Sequence, residues 1–229
     1  MAHDLSSYFI LRLCLRAPIS IGMARILVII ATLLLLIQAA FAKPITLLTL
    51  GDSLTSGFGL EANEAFPVKL EMALKSHYPE LKIINGGIAG DTAADGLARL
   101  DWTLSDDVSG LIVGLGANDA LRGLDAVQTE TALDGIMVKA QAKNLPVLIL
   151  GMKAPPNMGP DYVARFDGLY PRLAEKYRAL LYPFYLEGVA AVASLNQADG
   201  IHPNGQGVDV IVSKVMPSVE ELIGKAALK

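Results

Sequence analysis

The chain has 229 residues, of which 52% are hydrophobic and 18% charged; 23 acidic against 19 basic residues give a formal net charge of −4 at pH 7. That length holds one large domain or, less comfortably, two small ones, and the acidic balance argues against nucleic acid as the main partner. The single cysteine, Cys14, excludes an internal disulfide, and no thiol follows it to act as nucleophile or metal ligand.

From Met23, one cation, Arg25, precedes the apolar run 26–37, which gives way to Ala40-Phe41-Ala42 and then Lys43-Pro44. This order of charged, apolar and small residues predicts a secretory signal peptide cleaved after Ala42, with Met23 as the start and 1–22 as an extension without a readable pattern. The competing expectation is an uncleaved anchor. A spanning helix needs about 20 apolar residues, however, and this run is shorter and closes in an A-x-A site. The expected product is a single domain, 43–229, in the periplasm or outside the cell, with 16 basic and 22 acidic residues.

Beyond the leader, strand-like and helix-like segments alternate. Residues 45–50 are a short apolar run ending at Gly51. The pattern then predicts a helix over 66–77 with Pro67 in its first turn, a strand over 82–85 before Gly86-Gly87, and a helix over 92–104. Residues 111–115 and 147–150 read as fully buried parallel strands, separated by a helix over 126–143 capped by Asp125. A helix over 162–177, a weaker strand over 180–182 and a final helix over 206–223 follow, the last carrying an apolar stripe and kinked at Pro217. Alternating βα units predict a three-layer α/β/α sandwich on a five-stranded parallel sheet, with a flavodoxin-like order of 2-1-3-4-5. In such sheets ligands bind beyond the carboxyl ends of the strands.

Four islands carry candidate chemistry at those ends: Gly51-Asp52-Ser53-Leu54, Gly90-Asp91, Gly116-Ala117-Asn118-Asp119 and Asp199-Gly200-Ile201-His202. Ser53 is a candidate nucleophile, which needs a base because a serine hydroxyl attacks poorly at neutral pH; a helix cap is the plainer reading of the same residue. His202 is the candidate base, with Asp199 three residues earlier to orient it; an Asp-Gly turn with an incidental histidine is the alternative. Gly90 and Asn118, with the Ser53 N–H, are candidate oxyanion donors, and Gly90 leaves room for close backbone approach. Both could instead serve only as turn residues. Asp91 and Asp119 read as loop-fixing hydrogen bonders. In the segment 151–160, Pro155, Asn157 and Met158 are candidates to line an acyl pocket, or belong to an ordinary connection. No spacing of His, Cys or carboxylates suggests a metal, no phosphate loop is present, and no cofactor is expected.

These islands resemble the SGNH or GDSL hydrolases, whose functional serine, glycine, asparagine and histidine would fall on Ser53, Gly90, Asn118 and His202. Gly90-Asp91-Thr92 followed by Gly96-Leu97-Ala98-Arg99-Leu100, and Asn118-Asp119 followed by Leu121-Arg122-Gly123, are similar to the bacterial multifunctional acyl-thioesterase, arylesterase and lysophospholipase branch. The resemblance, from about residue 45 to the C-terminal helix, implies the SGNH hydrolase fold. It also implies a serine ester hydrolase acting on aryl esters, acyl thioesters or lysophospholipids, with the 151–160 loop contributing to chain-length preference. A carbohydrate O-acetyl esterase, or a non-catalytic module that binds acyl chains or glycans, would fit the same islands. The expected partner is a small acyl ester or lipid. Membrane contact is expected only transiently, and the chain is expected to be a monomer.

Overall fold

The computed structural model describes residues 44–228, together with Gly22 and Ile30. The predicted leader, apart from Ile30, and its cleavage site lie outside the described residues. Five strands, β1 (Thr46–Gly51), β2 (Lys82–Gly87), β3 (Gly110–Gly114), β4 (Val147–Leu150) and β5 (Leu180–Tyr182), form one parallel sheet in the order β2-β1-β3-β4-β5. Every residue of β1, β3 and β4 is buried, as a sheet covered on both faces requires, and the Thr49 hydroxyl buried within β1 donates to the Ile84 carbonyl at 2.7 Å, whereas the edge strands β2 and β5 are partly exposed.

The helices are α1 (Ser53–Ser56), α2 (Phe66–Leu74), α3 (Ala93–Thr103), α4 (Ala117–Leu121), α5 (Ala126–Ala142), α6 (Pro160–Tyr177) and α7 (Gly205–Ala227). Helices α3, α5 and α6 pack side by side on one face, and α2 and α7 on the other. Helix α7 runs without interruption through Pro217, burying Val208, Ile211, Val212, Val215, Val219 and Leu222. Helix α2 stops at Leu74, three residues short of its predicted end: the His77 and Tyr78 N–H groups both turn back to the Leu74 carbonyl just ahead of Pro79. Two short helices, α1 and α4, are not among the predicted elements, although the reading of Ser53 as a helix cap already allowed for one at α1. Each is too short for an apolar period to register.

Register places the site. Gly51 is level with Gly87 of β2 on one side and with Gly114 of β3 on the other. Three chain segments therefore leave the sheet at the same height, and α1 folds directly across its edge. The space for that crossing comes from Gly87, where a Cβ would overlap the backbone of Thr55 and Ser56 in α1. Backbone cannot yield as a flexible side chain can. Gly87→Ala is therefore expected to cost about 1–3 kcal/mol by overpacking, read as a lower urea midpoint with an unchanged slope; an unaltered midpoint would mean that the crossing is not tight.

Candidate active site

Ser53 is the first residue of α1. The helix is capped not by Ser53 but by Asp52, whose Oδ1 accepts the Leu54 N–H at 3.0 Å. Spared that duty, the half-buried Ser53 hydroxyl lies 2.9 Å from His202 Nε2. On the far side of the ring, Nδ1 lies 2.7 Å from Asp199 Oδ2. The Asp199 Oδ1 also accepts the N–H groups of Ile201 at 2.9 Å and His202 at 3.0 Å. The loop's turn is closed by the Gly200 N–H on the Gln197 carbonyl, with Gly200 at φ +71°. The His202 backbone N–H, the imidazole and the Ile201 N–H together hold the Asp199 carboxyl at about 2, below the usual carboxylate range. An ionised carboxylate only accepts, so Nδ1 carries the ring proton and Nε2 presents its lone pair to Ser53. Such an array lets the imidazole take the hydroxyl proton.

Gly90 and Asn118 come to the same edge from β2 and β3. Ile88 to Asp91 form a tight turn, with the Asp91 N–H on the Ile88 carbonyl at 3.2 Å and Gly90 at φ +89° in the third position, the arrangement of a type II turn. A Cβ on Gly90 would meet only Arg122, at 3.7 Å, so the positive φ demands glycine here and crowding within the protein does not. Asn118, in the first turn of α4, donates from Nδ2 to the Asp91 carbonyl at 3.0 Å and faces Asp52 Oδ2 at 3.5 Å. The N–H groups of Ser53 and Gly90 have no acceptor among the described residues. The two unpaired amides and the Asn118 side chain supply the donor types that an oxyanion needs.

Ser53, Asn118 and His202 open into a cleft of about 480 Å³ whose wall is mainly apolar, with Leu54, Leu121, Met152, Val163, Phe184 and Leu186 contributing. Of the three loop residues singled out in the sequence, Pro155 lines this cleft. Asn157 and Met158 do not; they lie in the 3₁₀ turn Pro156–Met158, and the Met158 methyl is turned toward Gly123. Composition marked the loop, but only the path of the 3₁₀ turn decides which side chains face inward. Among the described residues, no group of three or more His, Cys, Asp or Glu is gathered to hold a metal ion.

The GDSL-like lipase/acylhydrolase family model matches residues 49–210, a span that includes every residue of this site. The chain belongs to that family. It is an ester hydrolase, and its relatives agree along nearly their whole length. Esterase TesA of Pseudomonas aeruginosa is 38% identical over 192 residues, covering 83% of this chain and 94% of that protein. The thioesterase 1/protease 1/lysophospholipase L1 of Escherichia coli strain K12 is 36% identical over 191 residues, 83% of this chain and 89% of its own. Among solved structures, that of AlinE4, an SGNH-hydrolase family esterase, matches with a TM-score of 0.66 at 45% identity, over 77% of this chain and 95% of that one.

Around the site of this acylhydrolase stand residues that the sequence reading had not assigned to it. Phe58 leans on the His202 ring with centroids 4.9 Å apart. Gln197 Nε2 ties the Phe58 carbonyl to that of Pro203 at 2.8 and 3.0 Å. Arg99 joins Asp91 Oδ2 at 2.6 Å to the Gly51 carbonyl at 2.9 Å, and Arg122 reaches the Gly90 carbonyl at 2.8 Å. Asp119, read from the sequence as a fixing hydrogen bonder, is fully enclosed and accepts the Ala93 N–H and the Thr129 hydroxyl, each at 3.0 Å, and so fixes α3 and α5 against α4.

Asp52 is the electrostatic exception. It has no solvent exposure, and burial raises its carboxyl from 3.8 to about 7 against the opposing effects of the Leu54 N–H and His202. The native state therefore binds this proton more tightly than the unfolded chain does. The contribution of Asp52 to stability falls as pH rises from about 4 to about 7, by an amount on the order of 4 kcal/mol. Asp52→Asn keeps a cap and cannot ionise. Its stability relative to the parent is expected to improve across that window, measured by urea unfolding at stepped pH; parallel pH profiles would show that Asp52 ionises freely.

Proposed function

We propose that this chain cleaves acyl esters, with aryl esters, acyl thioesters and lysophospholipids as its substrate classes, through an acyl-enzyme on Ser53. In this reading His202 takes the Ser53 Oγ proton as that oxygen bonds to the acyl carbon. The negative charge on the carbonyl oxygen is met by the N–H groups of Ser53 and Gly90 and by Asn118 Nδ2. As the tetrahedral intermediate collapses, the alcohol or thiol leaves with the proton from His202. Water then repeats the sequence and releases the acid. Asp199, ionised throughout, holds the imidazole in the required tautomer and balances its positive charge.

The observation that carries this reading is the unbroken line from Ser53 Oγ through His202 to Asp199, at 2.9 and 2.7 Å, set at the end of an apolar cleft. The same cleft favours an acyl chain over an acetylated sugar, which would need a smaller and more polar pocket. Relatives named as esterase and as thioesterase and lysophospholipase point in the same direction. The leader pattern at 23–42 supports action in the bacterial envelope, where the chain would meet its lipid or ester substrate.

Ser53→Ala is expected to abolish hydrolysis of p-nitrophenyl esters with an unchanged circular dichroism spectrum, and appreciable residual turnover would place the nucleophile elsewhere. Asn118→Ala should lower kcat by roughly a hundredfold or more; a change confined to KM would make it a substrate-binding residue. Across the ester series from acetate to palmitate, kcat/KM is expected to rise beyond acetate, whereas a maximum at acetate would favour the acetyl esterase.

A further inference from the structure

We propose that Arg122 is a positioning residue of the oxyanion site: by holding the Gly90 carbonyl it fixes the spacing between the Gly90 N–H and the Asn118 amide. The inference rests on the reading of those two groups as oxyanion donors. They arrive on different chain segments, Gly90 in the loop after β2 and Asn118 in α4 after β3, so their spacing is not set by covalent geometry. Besides the buried Ala93 N–H bond to Asp119, the segments are joined by a pair of adjacent carbonyls. The Gly90 carbonyl accepts from Arg122 Nη2 at 2.8 Å and the Asp91 carbonyl accepts from Asn118 Nδ2 at 3.0 Å, both donors being carried by α4 and the residue that ends it.

Asp91 has a second anchor, its carboxylate on Arg99. Gly90 has none. It offers no side chain to be packed, and its φ of +89° belongs to the most permissive residue type. Its neighbours Ile88 and Ala89 are exposed, and among the described residues the Arg122 bond is the one polar contact that Gly90 makes. Arg122 itself is exposed, and the arginines found in ion pairs among the described residues are Arg99 and Arg172. The guanidinium thus directs a hydrogen bond at one carbonyl instead of pairing with a carboxylate. Donors to an oxyanion act only if they are held near the productive geometry before charge develops. With Arg122 removed, Gly90 keeps its φ preference but loses its own hydrogen bond to the end of α4, leaving the neighbouring Asp91 carbonyl as the nearest tie.

The test is steady-state hydrolysis of a neutral p-nitrophenyl ester by the full chain carrying Arg122→Ala, Arg122→Lys, Asn118→Ala, or Arg122→Ala with Asn118→Ala. For Arg122→Ala, kcat is expected to fall by roughly ten- to a hundredfold, the scale of a misplaced group rather than a missing nucleophile, with KM and Tm close to those of the parent. Arg122→Lys, which keeps a cationic donor, and guanidinium ion added to Arg122→Ala should each restore part of the loss. In the Asn118→Ala background the effect of Arg122→Ala should shrink, because both act on one oxyanion. An unchanged kcat in Arg122→Ala, a rise in KM alone, or a loss that guanidinium does not relieve would overturn the proposal. If Asn118→Ala also leaves kcat unchanged, the oxyanion reading itself fails; if Asn118→Ala is slow while Arg122→Ala is not, only the positioning role does.

Discussion

The level alignment of Gly51, Gly87 and Gly114 across three adjacent parallel strands is the constraint on which the site depends. Parallel strands in register present their carboxyl ends together, so the segments after β2 and β3 each begin one strand spacing from the segment after β1. Ser53, Gly90 and Asn118 then need only short excursions to meet. The Gly51 carbonyl, one residue before Asp52, consolidates the corner by accepting both the Ile88 N–H at 3.0 Å and the Arg99 guanidinium at 2.9 Å. The fourth contribution, the loop from Asn196 to Asn204, has no strand to place it. It is held instead by its own turn bonds, by an isolated bridge between Asn196 and Pro203, and by the Gln197 tie to Phe58.

Two aspartates in the site region show how environment separates like groups. Asp199 is exposed at the rim, surrounded by donors and held ionised down to about 2. Asp52 is enclosed beside the serine, with its carboxyl raised to about 7 by burial. The first can orient an imidazole and balance its charge at any ordinary pH. The second carries an ionisation cost that the fold bears in order to cap α1 and face Asn118 from below. A pair of carboxyls driven apart in this way is the pattern by which one site assigns different tasks to chemically identical groups.

The sheet was legible because its central strands are short, mainly apolar runs that end at or run into glycine, a pattern that burial on both faces imposes; β4 and β5 coincide with the predicted segments, while β2 continues through Gly86 and Gly87. The long helices were legible from caps and apolar stripes. Helices α1 and α4 were not, since four or five residues cannot show a 3.6-residue period. Ser53 and Asn118 stood out because each follows a glycine at a strand end, and His202 because Asp199 lies three residues before it in a Gly-containing loop. Arg99 and Arg122 did not, because a guanidinium that reaches a carbonyl 48 or 32 residues away leaves no local trace. Gly90 was chosen for close approach, whereas its positive φ is the operative demand. Asn157 and Met158 were chosen by composition, which does not record which way a 3₁₀ turn faces.

The most direct test of this account is to expose the folded protein to a p-nitrophenyl alkylphosphonate and locate the adduct by peptide mass spectrometry. One covalent adduct is expected, on the Ser53 hydroxyl, formed much more slowly when His202 is replaced by alanine. An adduct on another residue, or an unmodified Ser53 in protein that still hydrolyses esters, would contradict it.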